Sequence, residues 1–162
     1  MKFGLYIKAN LENVTNLRPN RNEFRWYIKV QCGTCNEVTQ DFIYFTENDS
    51  VEMKGSRGKV NFVLKCKFCK IESNMEIIKS SILAYYIENN EKYQEIAEFD
   101  CRGIQPIEFD PRICWMVDSI RSNTKFSDVD LSEKDWVEFD ENGNCTVGIY
   151  DFQSKFQVVK GH

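Results

Sequence analysis

Apolar and polar residues alternate along most of this chain, and the alternation predicts an all-β fold. Near the beginning, Phe3, Leu5 and Ile7 alternate with less apolar or charged neighbours, which places them on one face of a strand. No segment shows a sustained apolar stripe at the 3.6-residue period of a helix. A fold of about ten short strands must close into a barrel or stack as a sandwich to cover its strand edges.

The strand-like runs of the first half are short and well separated. They lie at 3–11, 24–30, 38–46, 60–66 and 71–78. The run at 82–87 is almost continuously apolar, so it is either a buried strand or one turn of helix. The polar stretches at 16–22 and 119–128 predict surface loops.

The second half continues the pattern, with runs at 95–104, 113–117, 136–140, 145–150 and 155–159. Between 140 and 145 the chain reads Glu141-Asn142-Gly143-Asn144. Because Asn-Gly tolerates the positive φ of a tight turn, this segment predicts a hairpin.

A chain of 162 residues is the size of one domain, so we predict a single β domain over 1–162. The polar stretch at 88–92 is the best central break. On each side a strand leads into a turn with proline, at Pro19 and at Pro111. We therefore predict two similar halves, 1–88 and 93–162, related by pseudo-twofold symmetry.

The composition restricts the classes of function. A hydrophobic fraction of 42% and an aromatic fraction of 14% supply a sizeable core. A net charge of −4 argues against a protein that coats nucleic acid. The start of the chain lacks the features of a signal peptide, and no window is apolar enough for a membrane helix. We expect a cytoplasmic, reducing location, where cysteine pairs are more often metal ligands or redox groups than disulfides.

Four of the seven cysteines form two CxxC pairs, Cys32 with Cys35 and Cys66 with Cys69. A tight turn at the end of a strand aims both sulfurs of such a pair at one point, and Zn²⁺ takes four thiolates in a tetrahedron. The spacing therefore predicts one structural Zn²⁺ that clamps two hairpins. Iron in the same cage is the main alternative.

Enzymatic roles for this quartet are disfavoured. A catalytic zinc keeps an open position for water, which four cysteines fill, and the only histidine is His162. A thioredoxin-like centre needs its CxxC at the start of a helix, whereas the residues after Cys35 have a strand pattern. We expect that the protein is not an enzyme.

The second pair lies in a run of positive charge that holds no acidic residue: Lys54, Arg57, Lys59, Lys65, Lys67 and Lys70. A zinc ion with four thiolates carries a net charge of −2, which nearby ammonium groups stabilise. We prefer this interpretation to contact with nucleic acid.

Three segments together resemble a known family. They are Cys32-Gly33-Thr34-Cys35, then Gly55-Ser56-Arg57-Gly58 with Asn61 and Lys65-Cys66-Lys67-Phe68-Cys69, and finally Phe99-Asp100-Cys101-Arg102-Gly103-Ile104-Gln105-Pro106 with Phe109 and Pro111. The combination is similar to the eukaryotic CXXC motif-containing zinc-binding proteins, over essentially the whole chain. The resemblance implies a compact β-barrel-like protein of two similar halves with one zinc on the four matching cysteines. It implies no established reaction. Gln105 stands where the family pattern leads us to expect an acidic residue, which weakens any role for that loop.

The remaining candidates have ordinary structural explanations. Cys101, Cys114 and Cys145 lie in or beside apolar strand patterns, which predicts core packing rather than a second metal site. We expect four charged residues to pair with one another within a turn: Asp100, Arg102, Asp110 and Arg112. We expect the three tryptophans to pack in the core: Trp26, Trp115 and Trp136.

Our leading hypothesis is a non-enzymatic zinc-binding protein whose surface serves protein partners. Two alternatives stay open: a carrier that accepts and donates zinc or another soft metal, and a zinc-ribbon nucleic-acid binder that uses the basic run at 54–70.

Overall fold

The computed structural model describes residues 1–55 and 58–160. Ser56, Arg57 and His162, which figure in the sequence analysis, lie outside the described residues. The strands in chain order are β1 (Lys2–Glu12), β2 (Val14–Pro19), β3 (Trp26–Cys32), β4 (Ile43–Phe45), β5 (Val51–Glu52), β6 (Lys59–Val60), β7 (Phe62–Lys65), β8 (Glu72–Ile77), β9 (Gln94–Arg102), β10 (Ile104–Asp110), β11 (Trp115–Ser119), β12 (Lys125–Val129), β13 (Trp136–Asp140) and β14 (Cys145–Val158). Two short 3₁₀ turns lie at Lys79–Ser81 and Ile87–Asn89.

The prediction of an all-β protein is confirmed. Six strands form one sheet in the order β13-β14-β1-β9-β8-β7, which curls into a half-barrel. Two three-stranded sheets, β10-β3-β4 and β12-β11-β2, accompany it. In β1 the side chains of Leu5, Ile7 and Ala9 are buried, because this strand has neighbours on both sides and turns its apolar face to the core.

Aromatic side chains fill the middle of the core. Trp26 and Trp115 are fully buried, and Phe24 lies between them with ring centroids 4.7 and 5.0 Å away. These near-perpendicular contacts are the arrangement that aromatic rings favour. Trp136 is partly buried against the same core. The prediction that the three tryptophans pack in the core is confirmed.

The strand pairing of the first half is mirrored in the second. β1 and β9 lie side by side and antiparallel in the large sheet. β2 pairs with β11, and reciprocally β10 pairs with β3. β14 flanks β1, and reciprocally β8 flanks β9. A twofold axis between β1 and β9 generates this set of pairings. The single domain over 1–162 and the division into 1–88 and 93–162 stay predictions.

Two stretches predicted as surface loops contain strands. β2 (Val14–Pro19) takes up 16–19 of the predicted loop at 16–22, and its Val14 and Leu17 are fully buried. β12 covers 125–129. Both strands pair with β11. Only one face of each strand meets the core, so the residues on the other face are polar. This polar composition resembles that of a loop, which is why the prediction was wrong.

Other predicted runs differ in extent. Only Ile43–Phe45 of the run at 38–46 forms a strand, and Val38 makes a single bridge to Gln31. The runs at 145–150 and 155–159 are one strand, β14, which is interrupted where Asp151 takes a φ of 54°. The run at 82–87 forms no strand, and only its last residue, Ile87, belongs to a 3₁₀ turn. The buried Tyr85 makes an isolated bridge to Leu17.

The hairpin turn at 141–144 is confirmed, since Asp140 pairs with Cys145 across it. Its positive φ falls on Asn144, at 50°, and not on Gly143 as the Asn-Gly pattern suggested. Across residues 1–55 and 58–160, no helix has the length and apolar character needed to span a membrane.

Candidate metal centre

The first CxxC turn closes the end of β3. Cys32 is the last residue of that strand, and its N–H donates to the Glu37 carbonyl over 2.8 Å. The Asn36 N–H donates back to the Cys32 carbonyl over 3.0 Å, with Asn36 at a φ of 66°. A polar asparagine tolerates this left-handed conformation better than most residues. The turn therefore brings Cys35 back over Cys32.

The second CxxC turn repeats this geometry between β7 and β8. The Cys66 N–H donates to the Ile71 carbonyl, and the Lys70 N–H donates to the Cys66 carbonyl, both over 3.0 Å. Lys70 takes a φ of 65°. Two turns that are 30 residues apart in sequence thus have the same backbone form, and each presents two sulfurs.

The four sulfurs of Cys32, Cys35, Cys66 and Cys69 lie within 4.8 Å of one another. Across the two turns, Cys32 Sγ lies 3.7 Å from Cys69 Sγ, and Cys35 Sγ lies 3.6 Å from Cys66 Sγ. Tetrahedral Zn²⁺ with Zn–S bonds of about 2.3 Å requires sulfurs about 3.8 Å apart. The donor set and its spacing fit a zinc ion.

Backbone amides prepare the first cysteine of each pair to ionise. The N–H groups of Cys35 and Thr34 point at the Cys32 sulfur and lower the pKa of that thiol. The corresponding amides of the second turn lower the pKa of Cys66 to about 6. At Cys35 the Glu37 amide acts in the same direction, but burial and the neighbouring thiols raise its pKa to about 12. Metal binding must therefore displace protons from part of the quartet.

Gly103 supports the first turn from behind. Its carbonyl accepts the Gly33 N–H over 2.8 Å, and it takes a φ of 81°, which glycine adopts without steric cost. A Cβ at this position would lie 3.0 Å from the Ser73 Cβ. The Cys-Arg-Gly signature thus has a structural reason that sequence reasoning missed: the positive φ of Gly103 and its close approach to Ser73 on β8 both favour glycine behind the CxxC turn.

Asn61 fixes the start of the second hairpin. Its amide nitrogen donates to the Glu47 and Asp49 carbonyls over 3.2 and 2.9 Å, and its carbonyl oxygen accepts the Ile77 N–H over 2.7 Å. Because Asn61 is buried, these bonds replace those it would make with water. They hold the segment before β7 and so position Cys66.

A groove of about 350 Å³ borders the centre. Its lining includes Cys32, Val38, Cys66 and Phe68. The Phe68 side chain is 68% exposed at the tip of the second turn.

The described members of the basic run are exposed: Lys54, Lys59, Lys65, Lys67 and Lys70. The Lys70 ammonium donates to the Lys67 carbonyl over 2.7 Å and so closes the turn. This contact gives one lysine of the run a structural role within the turn.

The family described as CXXC motif containing zinc binding protein, eukaryotic, matches residues 4–157. The chain belongs to this family. The mouse and human proteins named CXXC motif containing zinc binding protein are 46% and 44% identical to it over 155 residues, which cover 96% of this chain and 97% of each relative.

Two solved structures share the fold with this member of the CXXC zinc-binding family. The crystal structure of C1orf123 superposes with a TM-score of 0.92 at 44% identity, covering 97% of this chain and 99% of the other. A hypothetical protein from Plasmodium falciparum gives 0.87 at 28% identity, with the same coverage. The family and the four clustered cysteines identify zinc, rather than iron, as the metal.

The remaining cysteines of this family member lie elsewhere, as the sequence predicted. Cys101 is buried in the hydrophobic core, and Cys114 and Cys145 are partly buried against it. Burial raises the pKa of Cys101 to about 12. These three belong to no metal-binding group among the described residues.

The predicted pairing of charges around the third segment is also observed. Arg112 Nε lies 3.0 Å from an Asp110 carboxylate oxygen, and Arg102 lies 3.9 Å from Asp100. Gln105, at the departure from the family pattern, donates its side-chain amide to the Gln31 side chain on β3.

Proposed function

We propose that Cys32, Cys35, Cys66 and Cys69 bind one Zn²⁺ that joins the end of β3 to the β7–β8 hairpin. The observation that carries this proposal is the convergence of four sulfurs within 4.8 Å from turns that hydrogen bonds have already shaped. Such a site stabilises the fold directly, because the unfolded chain holds no comparable arrangement of thiolates.

The proposed metal is structural, and the proposed function is not enzymatic. Four thiolates complete the coordination of zinc and leave no position for an activated water. The Cys35 and Cys69 side chains are half-buried, so the centre lies near the surface, next to the groove that Cys32 and Cys66 help to line. This geometry supports a staple that shapes the surrounding surface.

We further propose that this surface binds a protein partner through an extended segment with apolar side chains. The groove is formed by Val38, Phe42, Leu64 and Phe68 together with the first cysteine of each pair. β7 and β4, the last strands of their sheets, border it, and a terminal strand can accept a further strand through its backbone. Lys65 and Lys67 line the groove together with Glu37 and Asp41, so the groove suits charged residues of both signs beside the apolar ones in the partner.

Metal content and stability test the zinc assignment. Cys66→Ser removes one ligand, whereas Cys145→Ser removes a partly buried thiol outside the quartet and serves as the control. We expect one zinc per chain by elemental analysis in the wild type and the control, with loss of zinc and a lower melting temperature in Cys66→Ser. Full zinc content in Cys66→Ser would refute the assignment.

A metal-carrier role is the second candidate, and the exposure of Cys35 and Cys69 favours it. Half-buried sulfurs can be reached by an acceptor thiol, which a deeply enclosed centre would prevent. A carrier should lose zinc rapidly to a chelator and keep its whole structure, whereas a staple should lose the structure around the CxxC turns as the metal leaves. Circular dichroism during chelation separates the two.

Nucleic-acid binding has the weakest support. Glu37 and Asp41 share the groove with Lys65 and Lys67, so the surface is of mixed sign. Binding through these lysines should weaken steeply with salt.

We propose a cytoplasmic location without membrane association, because a reducing compartment keeps the quartet available to metal.

A further inference from the structure

The second half contains a turn equivalent to the first CxxC turn. β11 ends at Ser119 just as β3 ends at Cys32. The Ser119 N–H donates to the Thr124 carbonyl over 2.9 Å, which matches the bond from Cys32 to Glu37, five residues ahead, at 2.8 Å. Ser119 therefore occupies the position of Cys32, and Ser122 that of Cys35.

The support behind the turn is repeated as well. The Ile120 N–H donates to the Asn13 carbonyl over 2.9 Å, as the Gly33 N–H donates to the Gly103 carbonyl over 2.8 Å. Asn13 lies between β1 and β2 with a φ of 57°, and Gly103 lies between β9 and β10 with a φ of 81°. The turn after β3 and the turn after β11 therefore have equivalent backbone hydrogen bonds.

The β13–β14 hairpin is the equivalent of the β7–β8 hairpin. Cys66 and Ile71 face each other across four residues, as Asp140 and Cys145 do. Both turns have a positive φ at the same position. It is 65° at Lys70, four residues after Cys66, and 50° at Asn144, four residues after Asp140. Asp140 therefore replaces Cys66, and Gly143 replaces Cys69.

A buried carboxylate occupies the place of the metal centre. The Asp140 side chain is 1% exposed. The hydroxyls of Ser119 and Ser122 both donate to its Oδ2, the latter over 2.7 Å, and the Gly143 N–H donates to Oδ1 over 3.1 Å. The Arg121 and Ser122 amides point at Ser119 Oγ over 3.1 and 3.2 Å, as the amides of the first turn point at Cys32 Sγ.

We propose that Ser119, Ser122 and Asp140 form the second half's counterpart of the zinc centre, a staple in which hydrogen bonds to one carboxylate do the work of the ion. This inference rests on the proposed function, since it takes zinc binding by the cysteine quartet as its reference. A buried, charge-assisted network of this kind is strong because each of its donors is satisfied by the carboxylate.

The two ends of the protein consequently differ in their need for metal. The end with the CxxC turns carries the exposed groove and holds its shape only while zinc is bound. The end with Asp140 keeps its shape without metal. Zinc supply therefore controls the groove, and with it the proposed docking of a partner, while the remainder of the fold persists.

Hydrogen exchange on the full-length protein tests this difference. After chelation we expect backbone amides at 26–45 and 59–77 to exchange at least tenfold faster, while amides at 115–129 and 136–149 keep their protection. Equal loss of protection at both ends would overturn the proposal.

A graft of the missing ligands tests the equivalence itself. The variant carries Ser119→Cys, Ser122→Cys, Asp140→Cys and Gly143→Cys. A Cβ at 143 would lie 2.5 Å from the Asp140 carboxylate, which the graft removes, and 2.8 Å from the Arg121 Cβ, so the backbone of the exposed turn at Arg121 must also move. We expect zinc content to rise from one to two per chain.

A folded graft that still binds one zinc would refute the equivalence. If the graft does not fold, the exchange experiment on the unaltered chain decides, and Asp140→Asn adds a second measurement. That variant should destabilise the protein by the same amount at any zinc concentration; destabilisation that added zinc reverses would contradict the proposal. Absence of zinc from the unaltered chain would instead remove the proposed function.

Discussion

Replacement of Gly103 by alanine tests how the structure supports the first CxxC turn. Gly103 has a φ of 81°, and the left-handed conformation costs a residue with a Cβ about 1–2 kcal/mol. The new Cβ would lie 3.0 Å from the Ser73 Cβ, so the backbone must also move. In a protein of this size we expect a melting temperature lower by about 2–8 °C.

Gly103→Ala should also weaken zinc binding. The Gly103 carbonyl accepts the Gly33 N–H over 2.8 Å, and a shift of this carbonyl displaces the turn that carries Cys32 and Cys35. Loss of a contact behind a metal ligand typically lowers metal affinity by about 10- to 100-fold. Competition with a chromogenic chelator measures this affinity directly.

Gly55→Ala is the matched control. Gly55 has a φ of 71°, so alanine meets the same conformational cost, but its Cβ would have no neighbour within 4 Å. We expect this control to lower the melting temperature by a similar amount and to leave zinc affinity unchanged. Equal zinc affinity in Gly103→Ala and Gly55→Ala would refute the idea that Gly103 positions the metal turn.

Three further outcomes follow from buried groups. The hydroxyl of Tyr85 lies 2.6 Å from the carbonyls of both Asn89 and Lys92, so Tyr85→Phe should cost about 1–3 kcal/mol in chemical denaturation, whereas Tyr93→Phe on the surface should cost under about 0.5 kcal/mol. Hydrogen bonds from serine hydroxyls lower the pKa of Asp140 from 3.8 to about 2. Its contribution to stability is therefore complete above pH 4 and lost as the pH falls towards 2, and the stability difference between wild type and Asp140→Asn should shrink over that range. Burial raises the pKa of Cys101 to about 12, so iodoacetamide at pH 8 should label this thiol in the denatured protein and not in the folded one, as peptide mapping will show.

Local sequence patterns predicted the elements whose own residues specify their conformation. The period of two in β1 and β3 revealed strands because alternate side chains face the core. The segment 141–144 revealed a turn, although the positive φ settled on Asn144. β2 and β12 were not predicted. Both pair with β11, and β2 lies about a hundred residues from it along the chain. Both strands also have a polar outward face, which gave their sequences the composition of a loop.

The sequence alone determined which four cysteines meet, because two CxxC pairs in a chain with this strand pattern have one shared chemistry, a tetrahedral soft metal. It also located the Cys-Arg-Gly segment without its reason. Only the tertiary structure decided that Gly103 supports the first turn and that Asp140 stands where the second half would hold a metal. Both depend on backbone segments brought together from distant parts of the chain, and serine, aspartate and glycine at those positions are too common in any sequence to signal a site before the fold places them side by side.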